Sequence, residues 1–308
     1  MRIVFVVNPR AGGWSARRKR RHLMKALALS GLNYEIRITE HRRHALHIAR
    51  AAARAGHVVV AIGGDGTVHE VASGVIESGT DMPMGVVPMG TGNDFAKMFD
   101  IPHALQTSLQ RFADGPSTPI DYGCITWDGP YGPGTGYFIN IGGTGFDAKV
   151  AAGASAFKFL TGTPRYVASV LRTLRSWQAP EAVVRFYSGA DLVHSYDGPM
   201  FLVLAGNGIC SGGGFYLTPA ASITDGMLDV CMIRNLSIRR VLTLMPAALK
   251  GNHVLAPEVT IKKVEHVTVA SSVPLPVQAD GEILTESATE IEIRVVPAGL
   301  RILLPVRM

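Results

Sequence analysis

This sequence of 308 residues has few cysteines, few charges and no long apolar run. Its three cysteines, Cys124, Cys210 and Cys231, are widely spaced, which excludes a disulfide framework and the usual zinc patterns, so we expect reduced, mostly buried thiols. The apolar stretches, such as PMFLVLAG and LRILLPV, have only strand length, which excludes a transmembrane helix. The run IVFVV is too short for the core of a signal peptide. The expected location is therefore the cytoplasm.

The positive charge is unevenly distributed along the chain. The formal net charge is +6, and much of it falls in the segments 15–25 (SARRKRRHLMK) and 41–54 (HRRHALHIARAAAR). These segments are either solvated helix faces or a patch for anionic partners. Because arginine runs without interleaved aromatic residues offer no stacking surface for bases, we predict no nucleic-acid partner.

The first 100 residues alternate between strand and helix patterns. Apolar runs predict strands at 2–8, 34–39, 58–62 and 84–89, and helical spacing predicts helices at 15–30, 44–56 and 67–78, with NDFAKMF also helical. Continuous apolar strands joined through helices are typical of a parallel sheet that is covered on both faces. The sequence therefore predicts an α/β domain at its N-terminal end.

From about residue 118 the pattern changes to short strands separated by Gly, Pro and Asp-Gly turns. Segments such as YFINIG, MFLVLAG, VTIKKVEHVTVA and EIEIRVV predict a mainly antiparallel β-sandwich. Only the segments 165–177 and 237–251 interrupt this pattern with helical spacing. We therefore expect two domains, 1–120 and 121–308, and the last strand could return to the first domain.

Three of the four early strands end in loops with unusual chemistry: NPRAGG (8–13), GGDGT (63–67) and PMGTGND (88–94). In an open parallel sheet, ligands bind at the carboxyl ends of the strands, and glycines let backbone N–H groups approach an anion closely. Thr67 and Glu70 also fit a capping box, and Gly63 and Gly64 fit a tight turn. Neither reading explains Asp65, whose charge would oppose phosphate unless Mg²⁺ lies between them. The loops therefore predict a site for a polyphosphate with Mg²⁺.

These loops carry a resemblance to a known family. GGDGTVHEV together with GTGNDFA resembles the catalytic domain of the diacylglycerol kinase superfamily, and GGDGT is shared with NAD kinases. GNGICSGGGFYLTPAASITDGMLDV (206–230) resembles the C-terminal domain of bacterial lipid kinases related to diacylglycerol kinase. The resemblance spans nearly the whole chain. It implies an ATP-binding domain, a β-sandwich domain and an active-site cleft between them.

The resemblance implies a nucleotide site on the N-terminal domain. The residues that match the family's ATP-binding positions are Asn8, Pro9, Gly12, Gly13, Thr39, Gly63, Gly64, Asp65, Gly66, Thr67, Gly90, Thr91 and Asn93. The chain departs from the family at Ala11, where serine is usual, and at Arg43, where glycine often precedes His-Ala.

The resemblance also implies functional carboxylates in the second domain. Asp280-Gly281-Glu282 resembles the DGE segment that reaches into the cleft of this family, and a hydroxyl that attacks a phosphoryl group needs a carboxylate near it. The same residues could be only a hairpin turn, and which carboxylate is the base stays open. For TDGMLD (224–229) the resemblance implies a structural Mg²⁺ held by Ser222, Asp225 and Met227, although a plain turn is the alternative.

The predicted function is transfer of the γ-phosphate of Mg·ATP to a lipid hydroxyl, with diacylglycerol as the acceptor and with Asp65, Asp280 and Glu282 as catalytic residues. The alternatives are a ceramide or sphingoid-base kinase, an NAD kinase and a non-catalytic lipid-binding protein. The expected partner is a lipid at an anionic membrane surface, with the enzyme peripheral to the inner face. Whether the chain forms a homodimer stays open.

Overall fold

The structure is a computed structural model that describes residues 2–99, 109, 112, 115–157 and 163–303. The chain forms two compact units, one made of Met1–Ile120 with Ala298–Met308 and the other of Asp121–Pro297. The first unit alternates strands and helices, and the second is mainly antiparallel β. The predicted fold class is thereby confirmed.

The first unit is a parallel sheet with helices between its strands. Its elements are β1 (Ile3–Val7), α1 (Gly13–Leu29), β2 (Tyr34–Ile38), α2 (His44–Arg54), β3 (Val58–Gly63), α3 (Asp65–Ser78), β4 (Met84–Pro88) and α4 (Asp94–Lys97). The strand order is β4-β3-β1-β2, and Ile302 near the C-terminus pairs with Met84 of β4 in parallel. Every residue of β3 is buried, as a central strand covered on both faces requires.

The second unit contains most of β5 (Ser117–Asp128) and the strands that follow it. These are β6 (Gly134–Phe138), β7 (Ile141–Gly145), β8 (Glu181–Ser188), β9 (Asp191–Gly206), β10 (Leu228–Arg234), β11 (Val259–Val264), β12 (His266–Ala279) and β13 (Glu282–Leu303), whose last residues, from Ala298, belong to the first unit. The order β11-β10-β9-β7-β12-β13 is antiparallel throughout, with β8 pairing to both β9 and β12. Its core combines residues such as Phe138, Phe186 and Met200, all fully buried.

The described residues of the second unit include three α-helices: α5 (Phe146–Ala154), α6 (Thr163–Leu174) and α7 (Ile238–Ala248). The spacing of the sequence predicted α6 and α7, which the structure confirms. The expectation that only these two helices interrupt the strands is wrong. Helix α5 was missed because its buried residues include Asp147 and the small Ala148, so its sequence shows no apolar stripe.

Two further sequence predictions can be compared with the described part of the chain. Cys210 and Cys231 are buried and Cys124 is partly buried, and all three are free thiols, as expected. Among the described residues there is no helix that combines the length and the apolar character needed to cross a membrane.

Candidate active site

The three glycine loops and Thr39 meet at the carboxyl edge of the first sheet. The N–H of Asn8 donates to the carbonyl of Ile62 at 3.0 Å, and the N–H of Met89 donates to the carbonyl of Gly63 at 2.7 Å. On the other side of β1, the N–H of Thr39 donates to the carbonyl of Val7 at 2.9 Å. Parallel pairing therefore brings together residues that lie up to 80 positions apart in the chain, as the sequence predicted for this edge.

The first loop is held by the side chain of Asn8. Its Nδ2 donates to Oγ1 of Thr67 at 3.0 Å, and its Oδ1 accepts from the N–H of Arg10 at 2.9 Å. Gly12 precedes α1 with φ 72°, a left-handed conformation that glycine adopts without strain, and Gly13 begins the helix. The helix N-terminus thus lies at the sheet edge with its first N–H groups available to an anion. Pro9 is exposed beside it.

The second loop turns directly into α3, which begins at Asp65 after the extended Gly64. A Cβ on Gly63 would lie 2.4 Å from Oγ1 of Thr67, so only glycine fits there. Thr67 is buried within the first turn, bonded to Asn8, and is not the residue that caps the helix.

The capping box predicted at Thr67 and Glu70 is therefore wrong. The carboxylate of Glu70 instead accepts from the N–H of Arg43 at 2.8 Å and from that of Ala45 at 3.1 Å, which caps helix α2. His69, between Thr67 and Glu70 in sequence, is buried. The side chain of Glu70 therefore caps a helix whose donors lie 25–27 residues away in sequence, and not the helix that contains it.

The third loop contacts the second through backbone. The N–H of Gly90 donates to Oδ1 of Asn93 at 2.9 Å, and Nδ2 of Asn93 donates back to the carbonyl of Gly90 at 3.0 Å. A Cβ on Gly90 would lie 2.5 Å from Cα of Gly64. Gly90 therefore allows a contact with Gly64 that a side chain at position 90 would prevent, and Thr91 remains exposed beside them.

Asp65 has an environment that penalises its charge. Burial raises the pKa of the Asp65 carboxyl, and the nearby carboxylate of Asp94 raises it further. The N–H of Phe95, which donates to Oδ1 of Asp65 at 3.4 Å, acts in the opposite direction. Asp94 itself pairs with Lys97 at 2.8 Å.

A cation at Asp65 would relieve this penalty. The described residues contain no group of three or more acidic, His or Cys side chains arranged to hold a metal. One carboxylate beside glycine loops fits Mg²⁺ that arrives with phosphates, because this ion keeps most of its waters. One carboxylate beside the glycine loops is therefore a donor set that suits a metal–nucleotide complex.

In the second unit, Asp280 and Gly281 form a two-residue turn between β12 and β13. Their φ angles are 51° and 84°, and Ala279 pairs with Glu282 across the turn, which is the geometry of a type I′ hairpin. The chain therefore turns at these two residues, and Asp280 and Glu282 do not lie on one continuous strand. The Asp-Gly pair supplies the positive φ angles that this turn requires.

The Asp280 carboxylate is bound to the backbone that precedes and opens β7. Its Oδ2 accepts from the N–H of Ile139 at 3.0 Å, and its Oδ1 accepts from those of Asn140 at 2.9 Å and Ile141 at 3.1 Å. These bonds fix the carboxylate in one orientation. Glu282 opens β13 and is partly exposed.

An apolar cavity lies within the second unit, between the sheet and helices α6 and α7. Its volume is about 80 Å³, and its walls include Phe146, Phe201, Phe215, Val241 and Met245. Sequence reasoning did not find this cavity, because its walls come from segments that share no local pattern.

The cavity is connected to the hairpin turn through one side chain. Asp147, a polar wall residue, accepts from the hydroxyl of Tyr166 and from Nε2 of Gln278, the latter at 3.0 Å. Oε1 of Gln278 accepts from the N–H of Gly281 at 2.7 Å. Burial raises the pKa of Asp147 and raises that of Tyr166 well above its usual value. Asp147 and Gln278 are thus site residues that no motif indicated.

The Asp225 carboxylate, expected to hold a structural Mg²⁺ together with Ser222 and Met227, lies against an ammonium group. Oδ2 of Asp225 lies 2.6 Å from Nζ of Lys263, and Oδ1 accepts from the N–H of Met227 at 3.1 Å. The same ammonium lies 3.2 Å from Oδ2 of the buried Asp229. The cation beside Asp225 is therefore an ammonium group, and a metal ion would have to displace it.

Comparisons with known proteins cover both units. Residues 2–125 match the family described as "Diacylglycerol kinase catalytic domain", and residues 141–304 match "YegS C-terminal NAD kinase beta sandwich-like domain".

Two relatives and one solved structure illustrate the similarity. A "Probable lipid kinase YegS-like" of Xanthomonas euvesicatoria is 31% identical over 92% of this chain and 91% of its own. A "Diacylglycerol kinase" of Mycobacterium tuberculosis is 32% identical over 85% and 81%. The crystal structure of a diacylglycerol kinase from Bacillus anthracis has a TM-score of 0.68 at 18% identity, covering 98% of this chain and 96% of that one. At that identity the structural likeness indicates the fold alone.

Proposed function

Because this chain belongs to the diacylglycerol kinase family of lipid kinases, we propose that it transfers the γ-phosphate of Mg·ATP to the free hydroxyl of diacylglycerol and forms phosphatidic acid. Lipid phosphorylation follows from the family, and kinase activity implies ATP. The choice of diacylglycerol is supported by the relative from Mycobacterium tuberculosis that bears this activity in its name. The site residues and Mg²⁺ are parts of the same proposal.

The proposal of a lipid acceptor is supported chiefly by the apolar cavity and its connection to the hairpin turn. A volume of about 80 Å³ admits on the order of six water-sized spheres, which is room for part of an acyl chain. Gln278 joins Asp147 in the cavity wall to Gly281. A hydrocarbon chain in this cavity would therefore leave its polar end near the Asp280-Gly281-Glu282 turn.

On the nucleotide side, the glycine loops supply backbone N–H groups and the N-termini of α1 and α3 to the phosphates. The Asn8–Thr67 hydrogen bond and the Gly64–Gly90 contact keep these loops in one arrangement. Asp65 holds the Mg²⁺ of Mg·ATP, which offsets the raised energy of its buried carboxylate. In phosphoryl transfer, such positioning and charge neutralisation supply most of the rate enhancement.

At the acceptor hydroxyl, we assign proton acceptance to Glu282 and a positioning role to Asp280. The Asp280 carboxylate already accepts three backbone N–H bonds, which leaves it poorly placed to take a proton. Its bonds instead fix the turn from which Glu282 begins β13. The two carboxylates therefore act in different ways despite being two residues apart.

The test is a kinase assay with a panel of acceptors in mixed micelles: diacylglycerol, ceramide, a sphingoid base and soluble NAD. We expect incorporation of the γ-phosphate into diacylglycerol to exceed that into the others, with Asp65→Asn as the blank. Preference for ceramide or a sphingoid base would keep the chemistry and change the acceptor. Phosphorylation of NAD, or ATP binding without turnover on any lipid, would overturn the proposal.

A further inference from the structure

The apolar surface of helix α7 is wider than the part that the core covers. Val241 and Ala248 are buried, whereas Ile238 is 52% exposed, Leu242 45% and Leu249, at the helix end, 41%. At about 100° per residue, these three exposed side chains fall within roughly 40° of one another on the helix. We call Ile238, Leu242 and Leu249 the outer sector. An amphipathic helix that only packs on its own domain has polar residues there.

The outer sector is flanked by cations. Arg239 and Lys250 are exposed and fall within about 20° of each other on the helical wheel, next to the outer sector. Arg240 points to a different flank and pairs with Glu258 at 2.8 Å. The sequence from 235 to 257 contains no Asp or Glu. The helix and the residues that flank it in sequence therefore combine apolar side chains with basic ones and include no acidic side chain.

Helix α6, which also lines the cavity, has a similar composition. Its Leu171 is 46% exposed, and Arg172 and Arg175 are exposed beside it. The stretch from 163 to 180 also contains no acidic residue. Helices α6 and α7 both contribute side chains to the walls of the apolar cavity.

We propose that the outer sector of α7, with Arg239 and Lys250, docks onto the surface of an anionic lipid bilayer. Apolar side chains beside cations on a short helix suit a position in the interface, with the leucines among the acyl chains and the cations at the headgroups. The inner side of the same helix lines the cavity, so docking brings the cavity to the lipid. This inference rests on the proposed function, because the membrane contains the acceptor.

A second copy of this chain is a weaker fit for the same surface. The outer sector offers only three partly exposed apolar side chains, whereas a standard interface buries roughly 800 Å² per partner. Two copies would also bring like charges together at Arg239 and Lys250. In the basic segment 41–54 of the first unit, two arginines are already engaged within that unit. Arg50 pairs with Glu77 at 3.1 Å, and Arg54 donates to the carbonyl of Glu77 at 3.3 Å.

The test compares binding to vesicles of phosphatidylcholine with and without phosphatidylglycerol, measured by co-sedimentation. In the triple variant Ile238→Ser, Leu242→Ser, Leu249→Ser we expect at least about thirtyfold weaker binding to anionic vesicles, because each substitution removes an apolar anchor. Arg239→Gln with Lys250→Gln should weaken anionic binding by about fivefold per charge and leave neutral binding unchanged.

Matched controls separate this surface from exposed apolar residues in general. Leu192 and Val193, in the turn region of β8 and β9, are 53% and 48% exposed, and their double serine variant should bind vesicles like the wild type. Arg18, Arg20 and Arg21, exposed on α1, should tolerate glutamine with little loss of vesicle binding. Melting temperatures within a few degrees of wild type would verify folding.

The micelle assay distinguishes the two proposals. Loss of vesicle binding with retained phosphorylation of micellar diacylglycerol supports the docking surface. Wild-type vesicle binding by the triple variant, or equal loss in the Leu192 and Val193 control, overturns it. A wild-type dimer that the triple variant converts to a monomer would make the surface a self-interface and also overturn it. Failure of the wild type to phosphorylate any micellar lipid would refute the kinase proposal alone, since vesicle binding needs no turnover.

Discussion

The contact between the second and third glycine loops can be tested by adding one methyl group. In Gly90→Ala the new Cβ would lie 2.5 Å from Cα of Gly64 and 2.8 Å from Oδ1 of Asn93. The backbone of residue 90 has no positive φ, so alanine brings no conformational strain of its own. The effect of the substitution is therefore steric and acts on the two loops that we assign to phosphate binding.

The structure sets the size of the effect. Ordinary contacts of a Cβ begin near 3.4 Å, so the two loops must separate by roughly 1 Å. A displacement of this size costs about 10²-fold in rate where groups are aligned for reaction. Overpacking should also lower the free energy of unfolding by about 1–3 kcal/mol. In Gly64→Ala the Cβ would lie 3.1 Å from Cα of Gly90, which a shift of a few tenths of an ångström relieves. We expect that variant to lose less than about tenfold.

The assay measures kcat and the KM for ATP with micellar diacylglycerol, together with thermal unfolding. Gly85→Ala is the control for destabilisation, because its Cβ would meet the ring of Phe112 at 2.4 Å within the core beside β4. We expect Gly85→Ala to lower the melting temperature but to keep near wild-type kcat per folded molecule. Gly90→Ala should lower kcat/KM even where it is fully folded.

Near wild-type kinetics in Gly90→Ala would refute the assignment of these loops to phosphate binding. Equal losses in Gly64→Ala and Gly90→Ala would contradict the steric reasoning, since the two contacts differ in length. If kcat/KM in Gly90→Ala fell only in proportion to the folded fraction, as expected for Gly85→Ala, the contact between the loops would serve packing alone.

The remaining predictions concern charged groups. Asp65→Asn should lower kcat by at least about 10²-fold, yet keep or raise the melting temperature. Because burial raises the pKa of Asp65, folding stability falls as pH rises from the ordinary Asp pKa through the pKa in the folded state. A lower melting temperature of the variant at pH 7 would contradict this. Glu282→Gln should abolish lipid phosphorylation and retain ATP binding. Asp280→Asn should also lower the melting temperature, because three backbone N–H groups lose their charged acceptor. Full activity in both variants would mean that the segment is only a hairpin turn. Lys263→Met should cost about 1–2 kcal/mol of stability, with Lys262→Met on the same strand as the neutral control. Added Mg²⁺ or chelator should leave wild-type melting unchanged, and a large shift with chelator would show that a metal replaces the ammonium.

Much of the fold followed from local patterns in the chain. The apolar runs at β1, β3 and β4 are short and continuous, and a strand buried on both faces needs that composition wherever it lies. Helices α6 and α7 were also predictable, since an apolar stripe at helical spacing is a property of the segment itself. The three glycine loops could be assigned to one sheet edge because parallel pairing aligns the carboxyl ends of strands.

Other features depended on partners that are distant in sequence. Thr67 and Glu70 satisfy the capping motif, but Glu70 caps α2 because Arg43 and Ala45 lie within reach in the folded unit. A carboxylate binds the nearest unsatisfied donors, and no local pattern shows which donors those will be. The same reason explains Asp225, which looks like a metal ligand in sequence and pairs with Lys263 across 38 positions.

By itself, the sequence determined the two kinds of secondary structure, the glycine loops and the family, because these depend on composition and spacing over short windows. Tertiary structure alone decided that Asp280 bonds to the backbone at the start of β7. It also decided that Gln278 joins a cavity to the hairpin turn, and that one sector of α7 remains exposed. Side-chain direction and burial depend on which segments pack together, and packing is a property of the whole folded unit.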